Sequence, residues 1–204
     1  ETFGWGATVP VPGDYDGDGT VDLAVYHAAA GRWYFRLSGG GADYGISWGW
    51  SATVPVPADY DGDGKTDLAV YHPATGDWYV LKSRTQTLLQ VRWGWANAVP
   101  VPGDYEGDGK ADIAVYHRAS GNWHIRYSSG IPWQVLKYGW AGTIPVQADY
   151  DGDGLADRAI YHPATGNWSI RRSSNGADAE FMLGGPGQIP VLLCPLIHSW
   201  FGLP

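Results

Sequence analysis

The chain has 204 residues and a hydrophobic content of 44%, enough for one domain with a sizeable core and too apolar for a disordered chain. Its formal charge of −8 argues against nucleic acid or an anionic membrane as partner, because both select for basic surface. The longest apolar stretch, Ile189 to Leu193, is far too short to span a bilayer, so no membrane insertion is expected, and the single cysteine, Cys194, excludes an internal disulfide.

One 45-residue unit is written four times without insertion or deletion. Its most recognisable part runs Asp14-Tyr-Asp-Gly-Asp-Gly-Thr-Val-Asp22 and returns at Asp59 to Asp67, Asp104 to Asp112 and Asp149 to Asp157. In chain order, each unit holds four strand candidates. The first is short, Thr8 to Pro12, with counterparts at 53–57, 98–102 and 143–147; its prolines confine it to an edge or a poorly paired end. The acidic loop follows. The second strand, Leu23-Ala-Val-Tyr-His27, repeats from Leu68, Ile113 and Arg158, and its alternation of large and small side chains suits packing on both faces. After a turn ending in Gly31, Gly76, Gly121 or Gly166, the third strand opens on Trp33, Trp78, Trp123 or Trp168. The fourth ends in aromatic-Gly-Trp: Trp48-Gly-Trp50, Trp93-Gly-Trp95 and Tyr138-Gly-Trp140. No segment sustains a helical period, and 30 glycines are prohibitive for helices. The pattern predicts an all-β chain, a β-propeller of four four-stranded blades at about 7–51, 52–96, 97–141 and 142–186. Residues 1–6 read as an isolated fourth-type strand, the propeller domain as 1–191, and 192–204 as an apolar tail.

The loops carry 16 of the 21 acidic residues. Four carboxylates in nine residues repel one another unless a cation sits among them. Positions one, three and five offer side-chain oxygens: Asp14, Asp16 and Asp18; Asp59, Asp61 and Asp63; Asp104, Glu106 and Asp108; Asp149, Asp151 and Asp153. Position seven (Thr20, Lys65, Lys110, Leu155) offers its carbonyl, and the Asp at position nine (Asp22, Asp67, Asp112, Asp157) is expected to chelate. Gly17 and Gly19 permit the tight curvature. An all-oxygen, flexible set favours Ca2+ over zinc or copper, and about four structural ions would cancel the net charge. Glu106, longer than Asp, makes the third loop the weakest. Such loops fill at roughly 10⁻⁴ to 10⁻³ M calcium, an extracellular concentration, so the protein is expected to be secreted or at the cell surface.

These residues carry a family resemblance. The unit resembles the FG-GAP/VCBS repeat of integrin-type propellers, in which a D-x-D-x-D-G-x-x-D loop joins the first two strands of a blade. Phe3-Gly4 and Trp48-Gly49 stand where that repeat carries its Phe-Gly. The resemblance covers about residues 3–191 and implies a calcium-binding propeller. It is much less specific about function, since adhesion receptors, lectins and enzyme accessory modules share the repeat.

Counting from the loops, the chain starts and stops inside a blade. Phe3-Gly-Trp5 matches Trp48-Gly-Trp50, and Gln188 to Val191 matches Thr53 to Val56 without a loop to follow. Four-bladed closure, completion by a neighbouring chain or a longer parent would each accommodate this. Donation of a terminal strand or the tail to the next subunit predicts head-to-tail self-association. In repeat four, Arg158 replaces Leu or Ile, Gln147 replaces Pro, and Ser169 replaces Tyr34, Tyr79 and His124. Either this blade meets solvent or a partner, or the terminal repeat has drifted.

Other candidates are weaker. His27, His72, His117 and His162 recur beside a turn, which favours hydrogen-bonded turn residues over a metal ring. Trp33, Trp78, Trp123 and Trp168 recur regularly enough for packing to explain them, whereas Trp50, Trp95 and Trp140 near strand ends are candidates for stacking on a glycan. Asn167-Trp-Ser169 is a lone glycosylation sequon. With most carboxylates committed to the loops, no acid–base pair stands out and no enzyme is expected. The expectation is a secreted, calcium-stabilised propeller with a structural role, its subunits joined into an extracellular fibre or surface layer. The alternative is a carbohydrate-binding lectin or adhesion module using Trp-lined grooves between blades.

Overall fold

The computed structural model describes residues 3–185 together with Gln188 and Pro190. The apolar tail 192–204, Cys194 included, lies outside the described residues, as do residues 1–2. The chain forms two compact units that divide between Ala96 and Asn97.

The first unit holds two four-stranded antiparallel sheets, each a propeller blade. Blade one is β1 (Thr8–Pro10), β2 (Leu23–His27), β3 (Arg32–Arg36) and β4 (Tyr44–Ser47); blade two is β5 (Val54–Pro55), β6 (Leu68–His72), β7 (Asp77–Leu81) and β8 (Leu88–Arg92). The second unit holds blade three, β9 (Val99–Pro100), β10 (Ile113–His117), β11 (Asn122–Arg126) and β12 (Gln134–Lys137). Its blade four is β13 (Ile144–Pro145), β14 (Arg158–His162), β15 (Asn167–Arg171) and β16 (Asp178–Met182). Every sheet is ordered as its strands follow in the chain. The all-β, four-bladed propeller expected from the repeat is the fold observed.

Burial follows the side-chain pattern of each strand. β2 buries Ala24, Val25 and Tyr26 in succession, as a strand covered on both faces must. β3 alternates, with Trp33 and Phe35 buried and Tyr34 between them half-buried. In blade one, the outer strand β4 is largely exposed. In the first unit Val9, Val11, Tyr26, Trp33 and Phe35 of blade one form one core with Leu68 and Val70 of blade two. In the second unit, Ile144, Val146, Ala159, Tyr161 and Ile170 pack together in blade four, with Trp168 against them.

Two recurrent bonds hold the blades in phase. The indole of Trp33 donates to the Trp48 carbonyl at 2.8 Å, and Trp78, Trp123 and Trp168 repeat the bond to Trp93, Tyr138 and Leu183 at 2.7, 2.7 and 3.0 Å. The buried Tyr26 hydroxyl reaches forward to the Thr53 hydroxyl at 2.9 Å and the Trp50 carbonyl at 3.3 Å. In the second unit, Tyr116 makes the same reach to Thr143 at 2.6 Å and to the Trp140 carbonyl at 3.5 Å.

The aromatic-Gly-Trp motif is not the end of the fourth strand. β4, β8 and β12 stop at Ser47, Arg92 and Lys137, and the motif follows outside the strands, its first residue still donating its N–H to the carbonyl of Gly31, Gly76 or Gly121 at 2.9, 2.8 and 3.0 Å. Residues 3–7 likewise form no strand. The reason lies at Gly49, whose φ of +110° leaves the extended region. A Cβ there would lie 2.6 Å from the Tyr26 hydroxyl and 2.9 Å from that of Thr53. The first strand is also shorter than expected, since β1 ends at Pro10 and Gly13 meets Asp22 only in an isolated bridge.

Gly49→Ala is expected to cost about 2 kcal/mol or more through strain and clash. At Gly6 a methyl group meets nothing within 4 Å, and the same change should stay within about 0.5 kcal/mol. Urea unfolding of the two variants checks both values.

Candidate functional site

Each acidic loop is framed by its ninth residue. Asp22 is fully buried; its Oδ2 accepts the Tyr15 N–H and its Oδ1 accepts the Ser38 N–H, both at 2.8 Å. Asp67 repeats this with Tyr60 and Ser83 at 2.9 and 2.6 Å, Asp112 with Tyr105 and Ser128 at 2.9 and 2.8 Å, and Asp157 with Tyr150 and Ser173 at 2.9 and 2.7 Å. One carboxylate thus ties the start of the loop to the turn between the third and fourth strands. The hydroxyl of the tyrosine beside it donates to the carbonyl of Val11, Val56, Val101 or Val146 at 2.5–2.8 Å.

The other acids organise the loop backbone. Asp14 accepts the N–H groups of Gly17 and Gly19 at 2.6 and 2.8 Å, and Asp59, Asp104 and Asp149 do the same for their own glycines. The seventh residues, Thr20, Lys65, Lys110 and Leu155, donate N–H groups to Asp18, Asp63, Asp108 and Asp153 at 2.7–2.9 Å. Those fifth-position carboxylates also accept the hydroxyls of Ser38, Ser83, Ser128 and Ser173. Neighbouring loops latch within each unit. Thr66 donates its N–H to the Asp14 carbonyl at 2.6 Å, and Ala156 does so to that of Asp104 at 2.6 Å.

Among the described residues, three loops bring oxygens close enough to share a cation. They are Asp14, Asp16 and Asp18; Asp59, Asp61 and Asp67; and Asp149, Asp151 and Asp157, each set within 4.8 Å. The ninth residue belongs to the set in the second and fourth loops, while in the first the fifth residue does. Asp61 supplies a direct test of fit. Its Oδ1 is buried with no hydrogen-bond partner, an orphaned acceptor in an all-oxygen cluster. A hard divalent cation would satisfy it. Glu106 behaves differently: its two oxygens accept the N–H and hydroxyl of Ser129 at 2.9 and 2.7 Å, drawing the longer side chain toward the strand turn.

The loop environments split the carboxylates. Ser38 and the Thr20 amide hold Asp18 below the usual range, and the Gly154 amide leads in holding Asp149 down. Burial raises Asp67. Burial, with repulsion from Glu106 and Asp104, raises Asp112 to about 6.

The histidines serve their turns. His72, His117 and His162 place Nδ1 2.8, 2.7 and 3.0 Å from the hydroxyls of Thr75, Ser120 and Thr165. Asn167 is exposed at the start of β15.

A second repeated feature lies beside them. Trp5, Trp50, Trp95 and Trp140 are 49%, 41%, 37% and 46% exposed, the same ring at each 45-residue step. Trp50 lies 5.6 Å from the His72 ring and edge-on to Tyr79 at 5.1 Å; Trp5 meets His27 and Tyr34 at 5.5 and 5.0 Å; Trp140 meets His162 at 5.6 Å. The backbone beneath Trp50 is held firmly. Its carbonyl accepts the Thr53 N–H and hydroxyl at 2.9 and 2.8 Å, and its N–H donates to the same hydroxyl at 3.1 Å. Trp5 is absent from the glycan candidates in the sequence, although its place 45 residues before Trp50 marks it. The framing serines, Ser38, Ser83, Ser128 and Ser173, keep the same 45-residue step, which is the signal for them in the sequence.

A raised Asp112 has a definite consequence for stability. With cations chelated, the native state holds this proton up to about pH 6 while the unfolded chain releases it near the ordinary 3.8. Its contribution to stability is present below pH 3.8 and is lost as pH rises to about 6. In chelator, Asp112→Asn should flatten the fall in stability across that window, as measured by urea unfolding. A carbon-13 titration of the parent should show the Asp112 midpoint near 6.

Residues 14–70 match the family model of an FG-GAP-like repeat; the match takes in the first two loops, and the 45-residue period carries the same loop to two further copies. No curated protein matches the sequence. Among solved structures, an Agrocybe aegerita lectin described as recognising non-reducing terminal N-acetylglucosamine is similar in fold, with a TM-score of 0.58 at 17% identity over 87% of this chain and 53% of its own. A virginiamycin B lyase from Staphylococcus aureus aligns with a TM-score of 0.57 at 13% identity, over 91% of this chain and 59% of its own. The chain therefore spans between half and three-fifths of the length of these structures. The repeated loop and the four sheets converge on a four-bladed β-propeller, in which residues 14–70 match an FG-GAP-like repeat.

Proposed function

We propose that the protein is an extracellular, calcium-stabilised carbohydrate-binding module whose exposed tryptophans stack on pyranose rings. The carrying observation is the repeated half-exposed indole on a hydrogen-bonded turn, with a histidine edge beside Trp5, Trp50 and Trp140. An aromatic face presented to solvent on a rigid backbone loses little entropy when a sugar docks. The neighbouring His and Tyr provide polar atoms for hydroxyl groups. The similarity in fold to a lectin supports this reading, and repetition of the indole suits weak, multivalent recognition.

In this reading the cations are structural. They neutralise loops that hold 16 of the 21 acids, and the binding surface lies on the tryptophan turns. The carboxylates are occupied in framing loops, which favours binding over catalysis. No helix among the described residues is long and apolar enough to cross a membrane. Head-to-tail assembly rests largely on terminal residues outside the described set, and the described residues favour the saccharide.

Titration with an N-acetylglucosamine-terminated oligosaccharide should change the tryptophan fluorescence of the parent. Trp50→Ala should weaken binding at its site about tenfold with an unchanged melting temperature, because the lost ring is half exposed. Silence of the parent across a broad glycan array contradicts the reading. Calcium should raise the melting temperature and chelator lower it, since a ligand of the native state alone stabilises it.

A further inference from the structure

Blade four departs from the repeat at the first residue of its second strand. Where the other blades carry Leu23, Leu68 and Ile113, β14 opens on Arg158. The residue directly opposite on β15 is Arg171. Like charges facing each other across an antiparallel pair repel. Asp178 satisfies only one of them, through a bidentate pair in which Arg171 Nη2 donates to Oδ2 at 2.8 Å. The Arg158 side chain is half-buried and, among the described residues, has neither an ion pair nor a hydrogen bond. Burial, with repulsion from Arg171, lowers its affinity for the proton. A guanidinium out of water without an acceptor is costly, and the equivalent pair in blade two, Leu68 opposite Leu81, avoids the cost altogether.

The space beside Arg158 accounts for the charge. Arg158 and Arg171 line a cavity of about 160 Å³ with Tyr105, Tyr127 and Ser173. Ile125 and Leu136 form apolar wall, which strengthens any charge interaction inside. Tyr105 already donates its hydroxyl to Val101, and Ser173 donates its own to the fourth loop. The Arg158 N–H groups and the Tyr127 hydroxyl remain.

We propose that this cavity binds an oxyanion, the sulfate, phosphate or carboxylate group of a ligand, held by Arg158 with Arg171 and the Tyr127 hydroxyl. A planar guanidinium matches such a group with two parallel hydrogen bonds. The cavity holds a small oxyanion and little more. The source is either a free inorganic anion or an acidic substituent on a saccharide, and only the latter rests on the function proposed above. Occupancy is coupled to the fourth loop, because Ser173 lines the cavity and also holds Asp153 and Asp157.

The test uses the whole calcium-loaded protein. Sodium sulfate, exchanged against sodium chloride at constant ionic strength, should raise the parent's melting temperature and give a single-site isotherm in calorimetry. Arg158→Leu restores the residue of the other blades. It should fold, match or exceed the parent's melting temperature without sulfate, and bind sulfate at least about tenfold more weakly. An equal sulfate response in Arg158→Leu, or none in the parent, overturns the proposal. N-acetylglucosamine 6-sulfate binding more tightly than sulfate identifies a saccharide source; equal binding identifies a free anion. Sulfate binding without any saccharide binding leaves this site standing and removes the function proposed above.

Discussion

A carboxylate buried away from water must find donors, and in every blade the ninth residue of the acidic loop finds two backbone amides. One belongs to the residue after the loop's first Asp, the other to the serine after the third strand. This contact joins the two connections at one end of the blade. The serine it positions then supports the fifth-position carboxylate through its hydroxyl. A cation bound there would complete the loop, with part of its geometry already set by hydrogen bonds.

The opposite turns rest on another buried polar atom. Tyr26 and Tyr116 each send a hydroxyl to the Trp-x-x-Thr turn of the next blade in their own unit. The glycine before that tryptophan must be glycine, because the tyrosine hydroxyl occupies the place of its side chain. The tryptophan itself is left half exposed above a pinned backbone. Exposure of so large an apolar ring costs solvation free energy, and recurrence at one position in each unit points to use rather than accident.

Much of this was legible because the repeat is exact. The four copies of the loop marked the blades, and the run Leu23 to His27 defined its strand to the residue. Elements that depend on close approach were harder to see. Nothing in Trp48-Gly-Trp50 alone says that Gly49 turns to positive φ beneath Tyr26, so the motif looked like strand. The ninth Asp was expected to act mainly as a ligand, yet its two amide bonds span a sequence separation of up to 16 residues and emerge only once the sheet is built. Arg158 was visible as a departure, but its meaning required the facing Arg171 and the cavity beside them.

Amide hydrogen exchange at Tyr60 and Ser83 tests the central claim most directly, because both donate to Asp67. In the parent these amides should exchange as slowly as the β6 core, and Asp67→Ala should release both together while the amides of β10 and β11 stay protected. Exchange of Tyr60 and Ser83 at the rate of the exposed loop glycines in the parent, or no change in Asp67→Ala, would contradict the account.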